Sequence, residues 1–257
     1  MEYIQYNSAS RVATITLNRP DKRNALNSAM VTELYSVLKK AEQDKDIKIV
    51  ILKANGDAFC AGADLAYLKE LSQFTYEENL TDSMQLKKMF KQIYSMDKVV
   101  IAQVEGHAIA GGAGLATVCD LVFSVPGAKF GFTEVKIGFV PAIVSVFAIR
   151  KFGESHTKSL LLSGKLISAE DAKSVGLVNF ISEKATINSE VNTYVNSLLT
   201  NTSGNSLALT KKLIREIQQK NLDNALDFAA ELNAKARDSD DCKKGINAFL
   251  NKEKLVW

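Results

Sequence analysis

The alternation of short β-branched runs with amphipathic helical patterns, over roughly the first 140 residues, constrains the fold most. Residues 11–17 alternate apolar and polar side chains, which predicts a half-buried strand. Residues 27–43 carry apolar side chains at spacings of three and four, which predicts an amphipathic helix. Residues 48–52 and 99–104 are predominantly apolar and rich in β-branched side chains, as in strands covered on both faces. Strands that alternate with helices favour an α/β fold with a largely parallel sheet.

The pattern changes after about residue 140, where helical segments follow one another. A further helix at 84–94 and a third buried strand at 118–125 precede that change. Ser168 and Asp171 resemble a capping box for a helix that ends near Gly176. The later helices are predicted at 143–151, 157–162, 169–175, 188–199, 207–220, 221–236 and 240–251. We therefore predict an α/β core over residues 1–200 and a helical region over 201–257, which could dock on its own core or on a neighbouring subunit.

Composition excludes several classes of protein. Lys plus Arg number 32 and Asp plus Glu number 29, and a net charge of +3 argues against a simple basic nucleic-acid binder. The sequence contains no uninterrupted apolar run of about 18 residues, so we expect no membrane helix. The first residues show no basic start followed by an apolar stretch, so we expect no secretory signal and a cytoplasmic location.

The few cysteines and histidines limit the chemistry further. We expect the cysteines to be free thiols in a reducing compartment and predict no metal site. No G-x-S-x-G motif occurs, which weakens a hydrolase interpretation. We expect a structural role for the histidine in the second glycine-bearing loop. The residues concerned are Cys60, Cys119, Cys242, His107 and His156.

Two loops of small residues each follow a predicted strand, F-C-A-G-A-D-L at 59–65 and E-G-H-A-I-A-G-G-A-G-L at 105–115. Small residues let a ligand approach the main chain, and a helix that starts just after Gly111 would present unpaired N–H groups. Two such loops could direct one N–H group each at a single oxygen, which is an oxyanion hole. Packing and turn geometry explain such glycines equally well. A nucleotide phosphate loop is disfavoured because neither glycine-rich phosphate motif occurs.

Glu134 is the one acidic residue in an apolar stretch. Burial disfavours the charged form of a carboxyl group, so the pKa rises toward the range useful for proton transfer. Glu134 is therefore a candidate acid/base, and a surface or ion-paired glutamate is the alternative. Its apolar neighbours in the sequence are Phe130, Phe132, Val135, Ile137 and Phe139.

Taken together, these motifs resemble those of one family, the crotonase or enoyl-CoA hydratase/isomerase superfamily. The resemblance follows the whole chain in order. Its segments are N-R-P at 18–20, N-A-L-N at 24–27, the loop at 59–65, residues 111–120, residues 130–141, the G-K and G-L-V markers at 164–165 and 176–178, and residues 245–250.

The resemblance implies a crotonase (ClpP-like) α/β fold of repeated ββα units with a C-terminal helical trimerisation region, so that 201–257 becomes an oligomerisation region. It implies a homotrimer or a dimer of trimers. The substrate would be an acyl-CoA thioester, with no cofactor beyond the coenzyme A it carries, no metal and no nucleic acid or membrane partner. Ala63 and Gly111 would donate the two N–H groups, and Glu134 would be the catalytic acid/base.

The resemblance also implies a set of substrate-binding residues. The loop from Ala61 to Leu65 would contact the adenine and the pantetheine, and residues 23–25 would lie near the nucleotide. Asp64 could instead cap the following helix and thereby fix the donor beside it. The full set is Arg23, Ala25, Ala61, Ala63, Asp64, Leu65, Gly111, Gly114 and Pro141.

One departure from the family pattern bears on the reaction. Typical hydratases of the family carry two glutamates; the second matches Glu134, and the first falls on Gly114. A water held by Glu134 and a hydroxyl such as Thr133 or Ser145 would still permit hydration. We therefore expect an enoyl-CoA hydratase, with an enoyl-CoA Δ-isomerase using one glutamate as the alternative. A non-catalytic acyl-CoA-binding or RNA-binding member is a third hypothesis.

The stretch after Pro141 lacks the glycine-rich run usual in the family and is similar to bacterial methylglutaconyl-CoA hydratases and their terpenoid-pathway relatives. Those enzymes act on branched enoyl-CoA substrates with a second carboxylate, in leucine breakdown. On this interpretation residues 143–147 would shape the acyl site.

Overall fold

The chain is built from repeated pairs of strands that contribute one strand to each of two sheets. The computed structural model describes residues 1–257. The pairs β3–β4, β5–β6 and β7–β8 are each followed by at least one helix, so the predicted ββα repetition is confirmed. The strands are β1 (Ile4–Ala9), β2 (Val12–Leu17), β3 (Ile49–Ala54), β4 (Ala58–Cys60), β5 (Val99–Val104), β6 (His107–Ile109), β7 (Leu121–Ser124), β8 (Lys129–Gly131), β9 (Ile167–Ser168) and β10 (Phe180–Ile181).

The larger sheet has the order β1-β2-β3-β5-β7-β10 and is parallel except for the β1–β2 hairpin. All six residues of β5 are buried, as expected for a strand covered on both faces. The smaller sheet has the order β4-β6-β8-β9. Its first three strands are parallel, and β9 runs antiparallel to β8. The prediction of largely parallel pairing is confirmed.

Helices surround these sheets, and most begin at a side-chain cap. The Asn27 side chain accepts a hydrogen bond from the N–H of Met30 (2.9 Å) and starts α1. The capping box of Ser168 and Asp171 forms as predicted and starts α6. The helices are α1 (Ser28–Gln43), α2 (Leu65–Leu71), α3 (Tyr76–Ser95), α4 (Gly111–Val118), α5 (Ala142–Ser163), α6 (Ala169–Ser174), α7 (Ile187–Asn201), α8 (Gly204–Ile217), α9 (Leu222–Asp238) and α10 (Asp240–Leu250).

Several predicted bounds need correction. The strand predicted at 118–125 is wrong at its start, because Val118 ends α4 and β7 begins at Leu121. The helices predicted at 143–151 and 157–162 run together as α5, with a bend where Gly153 adopts a φ of 76°. The pattern did not predict β1, α2 or the three-residue strands β4, β6 and β8, since three residues are too few to show a period.

The hydrophobic core forms one cluster whose last member is Leu199. The helices beyond it dock partly through polar contacts. Lys211 of α8 donates to the carbonyl of Lys98 (2.9 Å) and to Asp120 (2.7 Å), which also accepts from the N–H of Val100. The division at residue 200 stays a prediction. No helix of the structure combines the length and the apolar character that a membrane span needs.

Candidate active site

Three neighbouring parallel strands of the smaller sheet end at the same edge, and each leads into a predicted site residue. Ala63 follows the end of β4, Gly111 follows the end of β6, and Glu134 follows the end of β8, each within three residues. Ligands in open α/β sheets gather at the carboxyl ends of parallel strands. The ββα repetition therefore brings together three residues that lie far apart in the sequence.

The loop after β4 holds the first predicted donor in a short parallel ladder with the loop before α1. Leu26 donates its N–H to the carbonyl of Gly62 (2.6 Å), and Asp64 donates its N–H to the carbonyl of Leu26 (2.8 Å). Ala63 lies between these bonds, is exposed, and its N–H has no acceptor in the chain. The ladder thus fixes the Ala63 N–H group and leaves it free for a ligand.

Asp64 fixes the same loop through its side chain. One carboxylate oxygen accepts from the N–H groups of Ala66 (2.7 Å) and Tyr67 (3.2 Å), and so caps α2. The other oxygen accepts from the Arg19 guanidinium (2.6 Å). Burial alone would raise the pKa of Asp64, but these hydrogen bonds outweigh it and hold the pKa below its usual value. Both oxygens are therefore engaged in holding the Ala63 turn, as the capping alternative predicts.

The second predicted donor follows a strained residue. Ala110 adopts φ 49° and ψ −119°, a left-handed region that costs a non-glycine residue about 1–3 kcal/mol. The N–H of Ala110 donates to the carbonyl of Gly131 (2.7 Å), which ties this turn to the end of β8. Gly111 is the first residue of α4, so its N–H has no acceptor in a preceding turn. The strained backbone of Ala110 therefore directly precedes the free N–H group of Gly111.

The two turns approach each other at Gly62. A Cβ atom built on Gly62 would lie 2.9 Å from the Ala110 Cβ, 3.1 Å from the Ile109 carbonyl oxygen and 3.7 Å from the Gly111 nitrogen. Gly62 also has a φ of 93°, which favours glycine. The two free N–H groups therefore lie on turns in close contact, as an oxyanion hole requires. That they bind one substrate oxygen stays a prediction.

Glu134 is the first residue of a short 3₁₀ helix, Glu134–Ile137, and is partly buried. Its Oε2 atom is buried and has no hydrogen-bond partner. Burial raises the pKa of the carboxyl group, and only its own main-chain N–H acts in the opposite direction. A partly buried carboxyl group with one unpaired oxygen, at the edge of a sheet, is a candidate for proton transfer.

The two hydroxyls considered as water-holding groups differ. Ser145 donates its hydroxyl to the carbonyl of Ala142 (2.7 Å), within the first turn of α5. Thr133 makes no side-chain hydrogen bond in the chain. Of the two, Thr133 therefore has the free hydroxyl beside Glu134.

The remaining predicted substrate-binding residues line the same loops. Arg23 is exposed, and its carbonyl accepts from the N–H of Ala61 (3.0 Å). Ala25 and Pro141 are buried, whereas Leu65 is 83% exposed at the start of α2. Contacts of these residues with coenzyme A stay predictions.

Gly114 lies one turn into α4 and is buried. A Cβ atom built on it would lie 2.5 Å from Val144 Cγ2 and 3.0 Å from Phe90 Cζ. The position of the missing first glutamate is therefore surrounded by apolar side chains.

Sequence reasoning placed Asn24 within residues 23–25, near the nucleotide, but did not predict its structural role. This buried residue has a φ of 53°, and its amide donates to the carbonyls of Asn55 and Ala58 (both 2.8 Å), while its Oδ1 accepts from the N–H of Arg19 (2.8 Å). It joins the loop before α1 to Asn55 and to the start of β4, the strand that precedes Ala63. The sequence signal was an asparagine in a polar turn, because asparagine tolerates positive φ. His107 is exposed and accepts from the N–H of Lys129 (3.2 Å).

Comparison with known proteins agrees with this arrangement. The family model of enoyl-CoA hydratase/isomerase matches residues 7–257. The chain is 42% identical over 94% of its length, and 95% of the relative's, to a Thermus thermophilus protein named "Putative enoyl-CoA hydratase". It is 32% identical to the crotonyl-CoA hydratase of Syntrophomonas wolfei, over 98% of this chain and 96% of that protein.

Solved structures give the same result. The crystal structure of an enoyl-CoA hydratase from Shewanella pealeana superposes with a TM-score of 0.94 at 28% identity, covering 99% of this chain and 96% of that one. The chain belongs to the enoyl-CoA hydratase/isomerase family and is an enzyme of the crotonase superfamily. The predicted fold and family are confirmed, and the hypothesis of a non-catalytic member is not supported.

Proposed function

We propose that this enzyme adds water reversibly to the α,β double bond of an enoyl-CoA thioester. The observation that carries the proposal is the partly buried, unpaired carboxyl group of Glu134 beside the turns that present the free N–H groups of Ala63 and Gly111. The names of the similar proteins, several of them enoyl-CoA hydratases, support the same activity.

The residues would divide the reaction as follows. The Glu134 carboxylate takes a proton from a water molecule while the water oxygen bonds to Cβ of the substrate. The C=C electron pair moves toward the thioester, and negative charge develops on the oxygen that the Ala63 and Gly111 N–H groups would bind. Protonated Glu134 then gives its proton to Cα, and the C=O bond re-forms. One water is added, and the carboxylate is restored.

The test is a panel of enoyl-CoA thioesters, followed through the loss of absorbance of the conjugated thioester. We expect wild type to hydrate α,β-enoyl substrates and Glu134→Gln to reduce kcat about 100- to 10,000-fold, the usual contribution of general acid–base catalysis. Glu231→Gln is the matched control, because Glu231 is an exposed glutamate of α9. A Glu134→Gln variant with wild-type turnover would refute the role of Glu134.

An enoyl-CoA Δ-isomerase is the second candidate. Gly114 provides no second carboxyl group, and one carboxyl group can carry a proton from one carbon to another. The same panel separates the two activities when a β,γ-enoyl-CoA is included. Conversion of the β,γ-enoyl substrate without hydration of the α,β-enoyl substrate would replace the hydratase proposal with the isomerase.

The finer substrate we propose is methylglutaconyl-CoA, in leucine breakdown. The support is the resemblance of the stretch after Pro141, where Ala142–Ser163 forms α5 directly. We expect kcat/KM for methylglutaconyl-CoA to exceed that for unbranched crotonyl-CoA. The reverse preference would exclude this substrate and leave the hydratase activity intact.

We also propose a homotrimer or a dimer of trimers in the cytoplasm. Exposed apolar side chains on the C-terminal helices, including Leu222 and Phe249, support an assembly that covers them. Light scattering coupled to size-exclusion chromatography measures the mass, and a monomer would contradict the proposal.

A further inference from the structure

The helix α4 has no room for a side chain at position 114, on the face that it shares with Gly111. Gly114 lies three residues after Gly111, so the two share one side of the helix. A Cβ atom there would approach Val144 Cγ2 to 2.5 Å and Phe90 Cζ to 3.0 Å. Carbon atoms at optimal packing are about 3.5–4.0 Å apart, so one of these neighbours would have to move.

Neither neighbour can move easily. Val144 is buried in α5, where a β-branched side chain has one strongly preferred rotamer. Phe90 is fully buried in α3, and its ring packs against Phe147 with a centroid distance of 6.3 Å. Phe147 in turn packs against Tyr94 at 5.1 Å. These ring contacts restrict movement of the Phe90 side chain.

We propose that Val144 and Phe90 close position 114 to any side chain, and that this packing restricts the active site to the single carboxyl group of Glu134. The inference rests on the proposed hydration and assigns the restriction to Val144 and Phe90, two residues outside the acid–base machinery. Glu134 then both receives the proton from water and delivers it to Cα. The absence of a second carboxylate follows from packing and not only from the glycine itself.

A double-mutant cycle on the full-length protein tests the packing without measuring activity. The variants are Gly114→Ala, Val144→Ala and the double variant, each compared with wild type by thermal unfolding. We expect each single change to lower the unfolding midpoint, the first by overpacking and the second by a cavity. The double variant should be more stable than Gly114→Ala, because the added methyl group enters the vacated space.

Two matched controls isolate the contact. Gly127→Ala adds a methyl group where no atom lies within 4 Å, and Ile149→Ala truncates an exposed isoleucine of α5, the helix that carries Val144. Both should keep the wild-type unfolding midpoint and turnover. A Gly114→Ala protein that unfolds at the wild-type temperature, or effects that simply add in the double variant, would overturn the proposal.

Kinetics then connect the packing to the reaction. We expect Gly114→Ala to lower kcat about 100-fold, the effect of displacing reacting groups by about 1 Å, and the double variant to regain most of it.

The pH profile of kcat/KM in wild type should show one acidic ionisation, from Glu134, and Gly114→Glu combined with Val144→Ala should add a second. Two acidic ionisations in wild type would overturn the single-carboxyl assignment. Absence of any wild-type turnover would instead refute the proposed function, while the unfolding cycle would still report the packing.

Discussion

The two main-chain turns of the site and the turn that carries Glu134 are built in different ways. The turns of Ala63 and Gly111 are held by main-chain hydrogen bonds, the carboxylate of Asp64 and a close approach at Gly62. Glu134 has a buried oxygen with no partner. Three apolar residues in the stretch that follows it are more than half exposed, namely Ile137, Phe139 and Val140.

This difference separates the part of the site that would serve several reactions from the part that decides which reaction occurs. Fixed N–H donors suit any reaction that passes through a thioester enolate, because they stabilise the same oxygen whichever carbon reacts. The acid/base group decides which product forms. We call the turns of Ala63 and Gly111 the donor half of the site, and Glu134 the Glu134 half. Activity should therefore fall sharply when small geometric changes are made in the donor half, and when the charge is changed in the Glu134 half.

The largest effect on the donor half is expected from Gly62→Ala. The new Cβ would lie 2.9 Å from the Ala110 Cβ on a residue whose φ is 93°, so the two turns must separate. Loss of one oxyanion donor reduces kcat about 100- to 1,000-fold, or roughly 3 kcal/mol of barrier. Steady-state kinetics on an enoyl-CoA substrate, with thermal unfolding in parallel, measures the effect.

Two glycine variants control this prediction. Gly153→Ala places a methyl group at a φ of 76° in open space, and so measures backbone strain without the clash. Gly127→Ala introduces neither strain nor clash. Both should keep kcat near wild type. An equal loss of kcat in Gly153→Ala would mean that general destabilisation, and not separation of the two turns, explains Gly62→Ala.

The Glu134 half should show its character in pH dependence. Because burial raises the pKa of Glu134, hydration that needs the carboxylate should decline about tenfold per pH unit below a midpoint above the usual value of about 4.3. The stability of the fold should depend on pH in the opposite direction to the activity. A carboxyl group whose folded pKa is raised stabilises the folded state in acid, and this contribution is lost as pH rises through the folded pKa.

Glu134→Gln should therefore unfold at a higher temperature than wild type at neutral pH, with the difference vanishing in acid. Thermal unfolding of both proteins across the pH range measures this. Glu231→Gln, at an exposed position, should show no such trend. A destabilised Glu134→Gln protein at neutral pH would mean that the carboxylate has a stabilising partner in solution.

The sequence predicts the donor half and the Glu134 half of the site from different signals. Residues 59–65 and 105–115 indicated free N–H groups because small residues and a helix start have a direct physical meaning. Glu134 was found as a lone acid among apolar residues. The strands β4, β6 and β8, which align these three segments, are only three residues long and left no periodic signal.

What sequence reasoning could not predict is long-range packing. Nothing local reveals that Gly114 faces Val144 and Phe90, since the contact joins α4 with α5 and α3. The positive φ of Ala110 was also unpredictable, because alanine rarely adopts it and only the surrounding hydrogen bonds maintain it. Residues whose conformation is imposed by distant parts of the chain are therefore visible only in the folded structure.

The smallest expected effect concerns the support of the Ala63 turn. In Asp64→Asn the side chain can still cap α2, because asparagine is as good an N-cap as aspartate, but the charge opposite Arg19 is lost. We expect a loss of about 1.5–3 kcal/mol of stability, as for other hydrogen bonds to charged groups. In Asp64→Ala both the cap and the charge are lost, so its loss of stability should be larger. Equal unfolding midpoints for these two variants would contradict the contribution assigned to the cap.

The pH dependence of this loss distinguishes the ion pair from the cap. Because the folded pKa of Asp64 is lowered, its contribution is complete above the unfolded value of about 3.9 and is lost as pH falls through the folded pKa. The difference in stability between wild type and Asp64→Asn should therefore shrink only in strong acid, whereas the difference between Asp64→Asn and Asp64→Ala should persist there. Activity should decline less than in Gly62→Ala, since the ladder that fixes the Ala63 N–H group remains in place. A larger loss of kcat in Asp64→Asn than in Gly62→Ala would reverse the order of the supports and make the carboxylate, not the close approach of the turns, the main determinant of the donor geometry.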